Sequence, residues 1–377
     1  MKKYLCTHCL NSFDSYNVLL ECDDRKNKHK FAKKSINKQT RFFYGRKIYS
    51  SSFPTLEKCF CPVCKTKLDR FLCPSCQTEI ASLEDLSIIA VAGSKNSGKT
   101  VYLSTLFKLL LDNYKDETTH LTTLFSKKFN IRVEPASGEM EKRLNNYIIK
   151  AGMSLPGTTS SNFQEPIVLK LTNYKTNKVK YLAFYDTAGD NFNYGDSKYN
   201  ANIKQLSKAD MIIFLADPFT ITEIRQKSEI SHLFNGKQIF QHPRQVLTIL
   251  SAEFGCINFK RSRQIKIPMA FCLSKCDILR PIAPDLMLNN NLMEKGLYVE
   301  ETINSSSTRL KRFLYDYGQD QLLDYFLKPY SDVKFFPLSS LGESPVNQVA
   351  EIYNPRNVLD PVLWFLAKEK FINTKKV

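Results

Sequence analysis

No apolar run in this 377-residue sequence approaches the roughly 18 residues that a membrane-spanning helix needs. The opening Met1-Lys2-Lys3-Tyr4-Leu5-Cys6 has no apolar core and no small-residue cleavage site, so it does not read as a signal peptide and a cytoplasmic protein is expected. No internal repeat is visible. Acidic residues are missing altogether from Arg25 to Leu56, where ten Lys or Arg stand. Cysteine is scarce beyond residue 77, with only Cys256, Cys272 and Cys276, against eight before it. These last three read as buried or incidental thiols.

What is present divides the chain in two. Residues 1–85 are cysteine-rich and basic, with few continuous apolar runs, and their stability is expected to come from metal. Cysteine pairs spaced C-x-x-C in a chain without a secretory signal favour metal over disulfides. Cys61-Pro62-Val63-Cys64 and Cys73-Pro74-Ser75-Cys76 are two such knuckles eight residues apart, able to supply four thiolates to a tetrahedral zinc ion. Cys6-Thr7-His8-Cys9 is a third knuckle, for which Cys22 and Cys59 are the nearest unclaimed cysteines; Cys6 and Cys9 pairing with Cys61 and Cys64 is the alternative. The basic insertion at about 25–56 attracts polyanions, and Phe42, Phe43 and Tyr44 beside Arg41 and Arg46 are suited to stacking bases while neutralising phosphate. A solvated insertion with no dedicated partner is the competing explanation.

From residue 86 to 377 the texture changes. Short, nearly continuous apolar runs at 87–92, 166–171, 181–185, 211–215, 268–273 and 333–338 alternate with amphipathic stretches, as in a mostly parallel sheet with helices on both faces. Helices are expected at 99–114, from Ser306 through Phe326, and at 358–371. The connections at 115–165, 218–265 and 278–330 are long and should carry extra elements or mobile loops.

Three motifs in this α/β region carry chemistry. Gly93-Ser94-Lys95-Asn96-Ser97-Gly98-Lys99-Thr100 matches G-x-x-x-x-G-K-[ST], follows an apolar strand and opens a helix. Glycines let backbone N–H groups wrap phosphate, Lys99 would reach the β and γ phosphates, and the Thr100 hydroxyl would face Mg²⁺. Asp186-Thr187-Ala188-Gly189 directly follows another strand, where Asp186 suits the Mg²⁺ shell and the Gly189 N–H suits a γ-phosphate. Ser274-Lys275-Cys276-Asp277 follows a third strand. A carboxylate there can accept from N1–H and N2 of guanine, a donor pair that adenine lacks.

This ordered set resembles the G1, G3 and G4 motifs of TRAFAC-class GTPases, the Ras and translation-factor relatives, over about residues 86–371. The resemblance implies a P-loop NTPase G-domain that binds GTP/GDP with Mg²⁺, preceded by a small zinc ribbon, and Ser339-Ser340-Leu341 as the G5 loop in place of the usual S-A-K. It also implies a switch threonine, for which Thr158 and Thr159 are the candidates. Ser274 stands where the family usually has Asn, and Asp190 where Ras-like enzymes often carry the water-orienting Gln, so intrinsic hydrolysis is expected to be slow or completed by another group. The overall organisation is similar to bacterial double-GTPase-type domains proposed to act in multi-protein defence systems. The expected function is a GTP-hydrolysing switch in a protein complex, with protein partners engaged through the zinc module and switch loops. The alternative is a nucleotide-loaded, weakly hydrolysing scaffold whose ribbon and basic insertion dock a protein or nucleic acid.

Overall fold

The computed structural model describes residues 3–14, 19–21, 30–36, 39–44, 47–49, 70–79, 85–111, 130–148, 166–186, 206–233, 242–252, 264–287, 293–294, 297–343 and 353–375. Two units divide at Leu86/Ser87.

The first unit holds two antiparallel sheets. β1 (Lys3–Leu5) and β2 (Ser12–Asp14) form a two-stranded ribbon around the turn that carries Cys6 and Cys9. The remaining strands are β3 (Leu19–Glu21), β4 (Lys30–Ile36), β5 (Gln39–Tyr44), β6 (Lys47–Tyr49) and β7 (Arg70–Leu72). They pair in the order β6-β5-β4-β3-β7. The described residues of the stretch read as a basic insertion are strand, with β4, β5 and β6 joined in antiparallel register such as Lys33 opposite Phe42 and Phe43 opposite Ile48. Pairing of β3 with both β4 and β7 joins the two ends of this segment in one sheet.

The second unit is built on a seven-stranded sheet. Its strands are β8 (Leu86–Gly93), β9 (Ile131–Pro135), β10 (Ile167–Asn173), β11 (Lys178–Asp186), β12 (Met211–Ala216), β13 (Met269–Leu273) and, after two short strands, β16 (Val333–Pro337). The short strands are β14 (Met293–Glu294) and β15 (Leu297–Val299), which join β17 (Thr374–Lys375) in a separate three-stranded sheet. The order in the large sheet is β16-β13-β12-β8-β11-β10-β9. β8, β12, β13 and β16 pair in parallel, and every residue of β12 and β13 is buried, as expected for strands covered on both faces. β9, β10 and β11 pair antiparallel, because a short turn through Asn177 (φ 52°) joins β10 to β11 where a parallel pair would need a crossover.

Helices α1 (Lys99–Leu110), α2 (Gly138–Ile148), α3 (Pro243–Ser251), α4 (Glu300–Asp316) and α5 (Asp360–Lys368) accompany the sheet. α1 buries Tyr102, Leu103, Leu106, Phe107 and Leu110 in one cluster with strand residues and with Val362, Phe365 and Leu366 of α5. Phe107 sits edge-on to both Phe184 and Tyr147. The single helix expected from Ser306 through Phe326 is instead two pieces. α4 starts earlier and stops at Asp316, Gly318 takes a left-handed turn (φ 68°), and a separate π-helical turn covers Leu322–Phe326. The long connections carry β9 and α2, α3, and β14 with β15, in that order.

Candidate functional site

The phosphate loop occupies the turn between β8 and α1. In-register pairing sets Gly93 beside Leu215, so close that a Cβ at Gly93 would lie 2.2 Å from the Leu215 carbonyl oxygen. Only glycine fits there, and its φ of 150° turns the chain out of the strand. Asn96 (φ 64°) and Gly98 (φ 82°) complete the wrap, and no side chain caps the first turn of α1. Uncapped N–H groups at a helix start make a positive, anion-seeking end. Lys99 is buried, and its Nζ donates to the carbonyls of Gly93 (3.0 Å) and Ser94 (2.8 Å), curling back over the loop. The hydroxyls of Ser94 and Ser97 are buried with no hydrogen-bond partner among the described residues. Buried hydroxyls left unpaired cost stability, so these two fit a loop that closes on phosphate oxygens. Lys95 and Asn96 are exposed at its tip.

Asp186 ends β11, the strand next to β8, and its Oδ2 accepts from the Thr100 hydroxyl at 3.0 Å. Burial raises the Asp186 pKa, while Lys99 and the Thr100 hydrogen bond partly offset the rise. A carboxylate that costs free energy to ionise, beside a hydroxyl and a lysine, is a fitting seat for a hard divalent cation. Gly189, Asp190, Thr158 and Thr159 lie outside the described residues.

The base side forms where β13 and β16 end. Ser274 is buried and donates from Oγ to the Ala216 carbonyl at 3.0 Å. Lys275 adopts a left-handed backbone (φ 52°), and its Nζ donates to the Asn96 carbonyl at 3.0 Å and to Asp217 Oδ2 at 2.6 Å. Asp277 Oδ1 accepts from the Ser339 hydroxyl at 2.5 Å, and Ser339 Oγ in turn accepts from the Gly342 N–H at 2.8 Å. Ser340 is anchored through its carbonyl, which accepts from Thr105 of α1 at 3.1 Å, and Leu341 through its own carbonyl, which accepts from Asn354 N–H. The structure therefore links Ser339 to Asp277, and Lys275 to the phosphate loop. Asp217 was not singled out by sequence. Its signal was modest: an Asp two residues after the apolar run 211–215, at the same end of the sheet as the other motifs. Cys272 and Cys276 are fully buried, and burial holds both thiols well above their ordinary range.

In the first unit the thiols group differently from the expected pairing. Cys73 and Cys76 meet Cys6 and Cys9, with all four sulfurs within 4.8 Å of one another. Cys61, Cys64, Cys22 and Cys59, the expected partners, lie outside the described residues. Both knuckles have the same build. Leu10 (φ 58°) donates to the Cys6 carbonyl and Gln77 (φ 60°) to the Cys73 carbonyl, each at 2.9 Å, and Cys6 and Cys73 donate to Asn11 and Thr78. The Sγ separations are 3.7 Å for Cys6 and Cys76 and 3.6 Å for Cys9 and Cys73. A tetrahedron of zinc–sulfur bonds near 2.3 Å has edges of about 3.8 Å, so these thiols fit zinc. Burial holds Cys6 high, whereas at Cys76 burial is outweighed by the combined hydrogen bonds with Thr78, Cys6 and Cys73, which lower it to about 6.

Comparison with known proteins bears on the second unit. Residues 87–254 match the family model Double-GTPase 2. A putative ESX-1 scaffolding and assembly protein, SaeC, from Mycolicibacterium smegmatis is 26% identical over 204 residues, 52% of this chain and 47% of its own length. The chain thus spans about half the length of that relative. Among solved structures, Era from Aquifex aeolicus bound to GDP and AlF4⁻ is 12% identical with a TM-score of 0.32, over 78% of this chain and 59% of that one. The GTP-bound GTPase-like domain of Ski7 from S. cerevisiae is 15% identical with a TM-score of 0.33, over 78% and 51%. No described helix is long and apolar enough to cross a membrane. Residues 87–254 thus match the Double-GTPase 2 family model, and the unit that contains them has the mostly parallel sheet and phosphate loop of the P-loop NTPase fold.

Proposed function

We propose that the second unit binds GTP and hydrolyses it slowly to GDP and phosphate, serving as a nucleotide-dependent switch within a cytoplasmic protein complex. The observation that carries this reading is the pair of ties at one end of the sheet. Thr100 meets Asp186 on the phosphate side, and Ser339 holds Asp277 on the base side. A carboxylate fixed by a neighbouring hydroxyl is preorganised to accept the paired donors of guanine, and adenine would leave it unpaired.

Lys99, Ser94, Ser97 and the N–H groups at the start of α1 would hold the phosphates. Thr100 and Asp186 would hold Mg²⁺, which supplies charge neutralisation at the phosphates. Gly189, Thr158 and Thr159 are the proposed γ-phosphate sensors, and Asp190 directly follows Gly189 in the sequence. A carboxylate there repels a γ-phosphate, which favours slow turnover. In the first unit Cys6, Cys9, Cys73 and Cys76 would hold one zinc ion in place of the two expected groupings, which leaves Cys22, Cys59, Cys61 and Cys64 as the thiols available for a second.

A second reading is a loaded scaffold that hydrolyses little. It is favoured by Asp190 and by the similarity to a protein described as scaffolding. Its zinc module and basic strands would dock a protein or nucleic acid. Single-turnover hydrolysis of GTP by the wild type and by Asp190→Ala separates the two. A measurable rate, increased in the variant, supports the switch; tight GTP binding with no turnover in either protein supports the scaffold.

A further inference from the structure

Three features make Asp217 stand apart. It is 1% exposed, it directly follows β12, and its two carboxylate oxygens have different partners. Oδ1 accepts from the Phe219 N–H at 2.9 Å and caps the 3-10 turn Pro218–Thr220. Oδ2 accepts from Lys275 Nζ at 2.6 Å. A buried carboxylate is tolerated when it is paired and hydrogen-bonded, and this one has both. The turn, however, needs only a neutral acceptor, so the charge of Asp217 has another use.

That use lies in how the base-side loop is tied to the phosphate loop. Ser274 does not reach across, because its hydroxyl is spent on the Ala216 carbonyl of the adjacent strand. Lys275 does reach, to the Asn96 carbonyl, from a side chain 40% exposed and a left-handed backbone that costs a non-glycine residue about 1 kcal/mol. A lysine with several rotatable bonds and ready access to water does not hold such a geometry unaided. We infer that Asp217 is a positioning residue for the nucleotide site: its buried charge fixes Lys275 against the phosphate loop, supplying the tie that the short Ser274 side chain does not make. The inference rests on the nucleotide-binding role proposed above.

The test is nucleotide dissociation from the full chain, followed with fluorescent GDP in stopped flow, for the wild type, Asp217→Asn, Lys275→Ala and the double variant. Asn keeps an oxygen for the Phe219 N–H and removes only the charge. Asp217→Asn is expected to release nucleotide about 10- to 100-fold faster, with the melting temperature of the nucleotide-free protein nearly unchanged. In the Lys275→Ala background the same change should add less than about twofold, since the partner is already gone. Asp217→Ser, whose hydroxyl also caps the turn, gives the same comparison should the amide disturb folding. Ser274→Asn, which lengthens the side chain toward the loop, should slow release again in the Asp217→Asn background. A release rate within twofold of wild type for Asp217→Asn, or full additivity with Lys275→Ala, overturns the inference. Failure of the wild type to bind any guanine nucleotide would overturn the underlying functional reading, and is seen separately in the first measurement.

Discussion

Among the described residues of the first unit, the buried side chains around the four thiols are Leu10, Phe13 and Leu72 beside Cys6 and Cys73. In the second, one cluster runs from Ile89 of β8 through α1 to Phe371, with aromatic contacts at Phe107, Phe336 and Trp364. A unit of this size has limited room for an apolar core, and four thiols at tetrahedral spacing can add cohesion. The difference separates two dependences: the first unit should depend on metal, the second on packing and on its ligand.

The strongest way to break that contrast is to remove the metal. A structural zinc site contributes on the order of 10 kcal/mol to folding in small domains. Chelation, or Cys73→Ser, should abolish protection from hydrogen exchange in residues 3–14 and 70–79 while nucleotide affinity changes less than about twofold. The zinc count should fall by one in the variant. Loss of exchange protection in β8, β12 and β13 as well would show that the two units are not independently stabilised.

Next in size is Gly93→Ala. The added carbon would meet the Leu215 carbonyl, so β8 or β12 must shift, at about 3 kcal/mol. Thermal unfolding should show the loss in the second unit alone, together with loss of nucleotide binding. Lys99→Ala should then weaken GTP binding roughly 100-fold in titration calorimetry, by removing a charged donor, with little change in the first unit.

The smallest effect concerns pH. His242 caps α3, its Nδ1 accepting from the Arg244 N–H at 3.2 Å. Burial, aided by Arg244 and Arg225 and opposed by Glu223, lowers its pKa to about 4 from the ordinary 6.5. A depressed pKa means the folded state prefers neutral imidazole. The associated stability is full above 6.5 and is lost as pH falls toward 4. Because the ring is partly exposed, the loss is on the order of 1 kcal/mol. His242→Asn keeps a cap and should flatten the slope of melting temperature between pH 7 and 5.

Features contained in contiguous residues were readable from sequence. The spacing from Gly93 to Thr100 set out the phosphate loop, and unbroken apolar runs marked strands buried on both sides. β9 was not legible, because Ile131–Pro135 is short and half-covered, with Arg132 exposed between two buried residues. The break at Gly318 was hidden in a stretch whose apolar spacing continues past it. The thiol pairing was not legible, because nearness in sequence does not fix nearness in space. Closing a loop of about 65 residues costs only about 1.7 kcal/mol more than closing one of about 10. Cys9 and Cys73, 64 positions apart, meet because β3 pairs with β7 and returns the chain to its start. Asp217 escaped notice because its partner, Lys275, lies in a different motif 58 positions away.

In the proposed function the second unit selects guanine through Asp277, held by Ser339. Titration of GTP, ATP and XTP against the wild type and Asp277→Asn tests it most directly. The account predicts that the wild type binds GTP far more tightly than ATP or XTP, and that Asp277→Asn loses GTP by about two orders of magnitude while gaining XTP. Equal binding of ATP and GTP by the wild type, or a variant that keeps its preference for GTP, would contradict it.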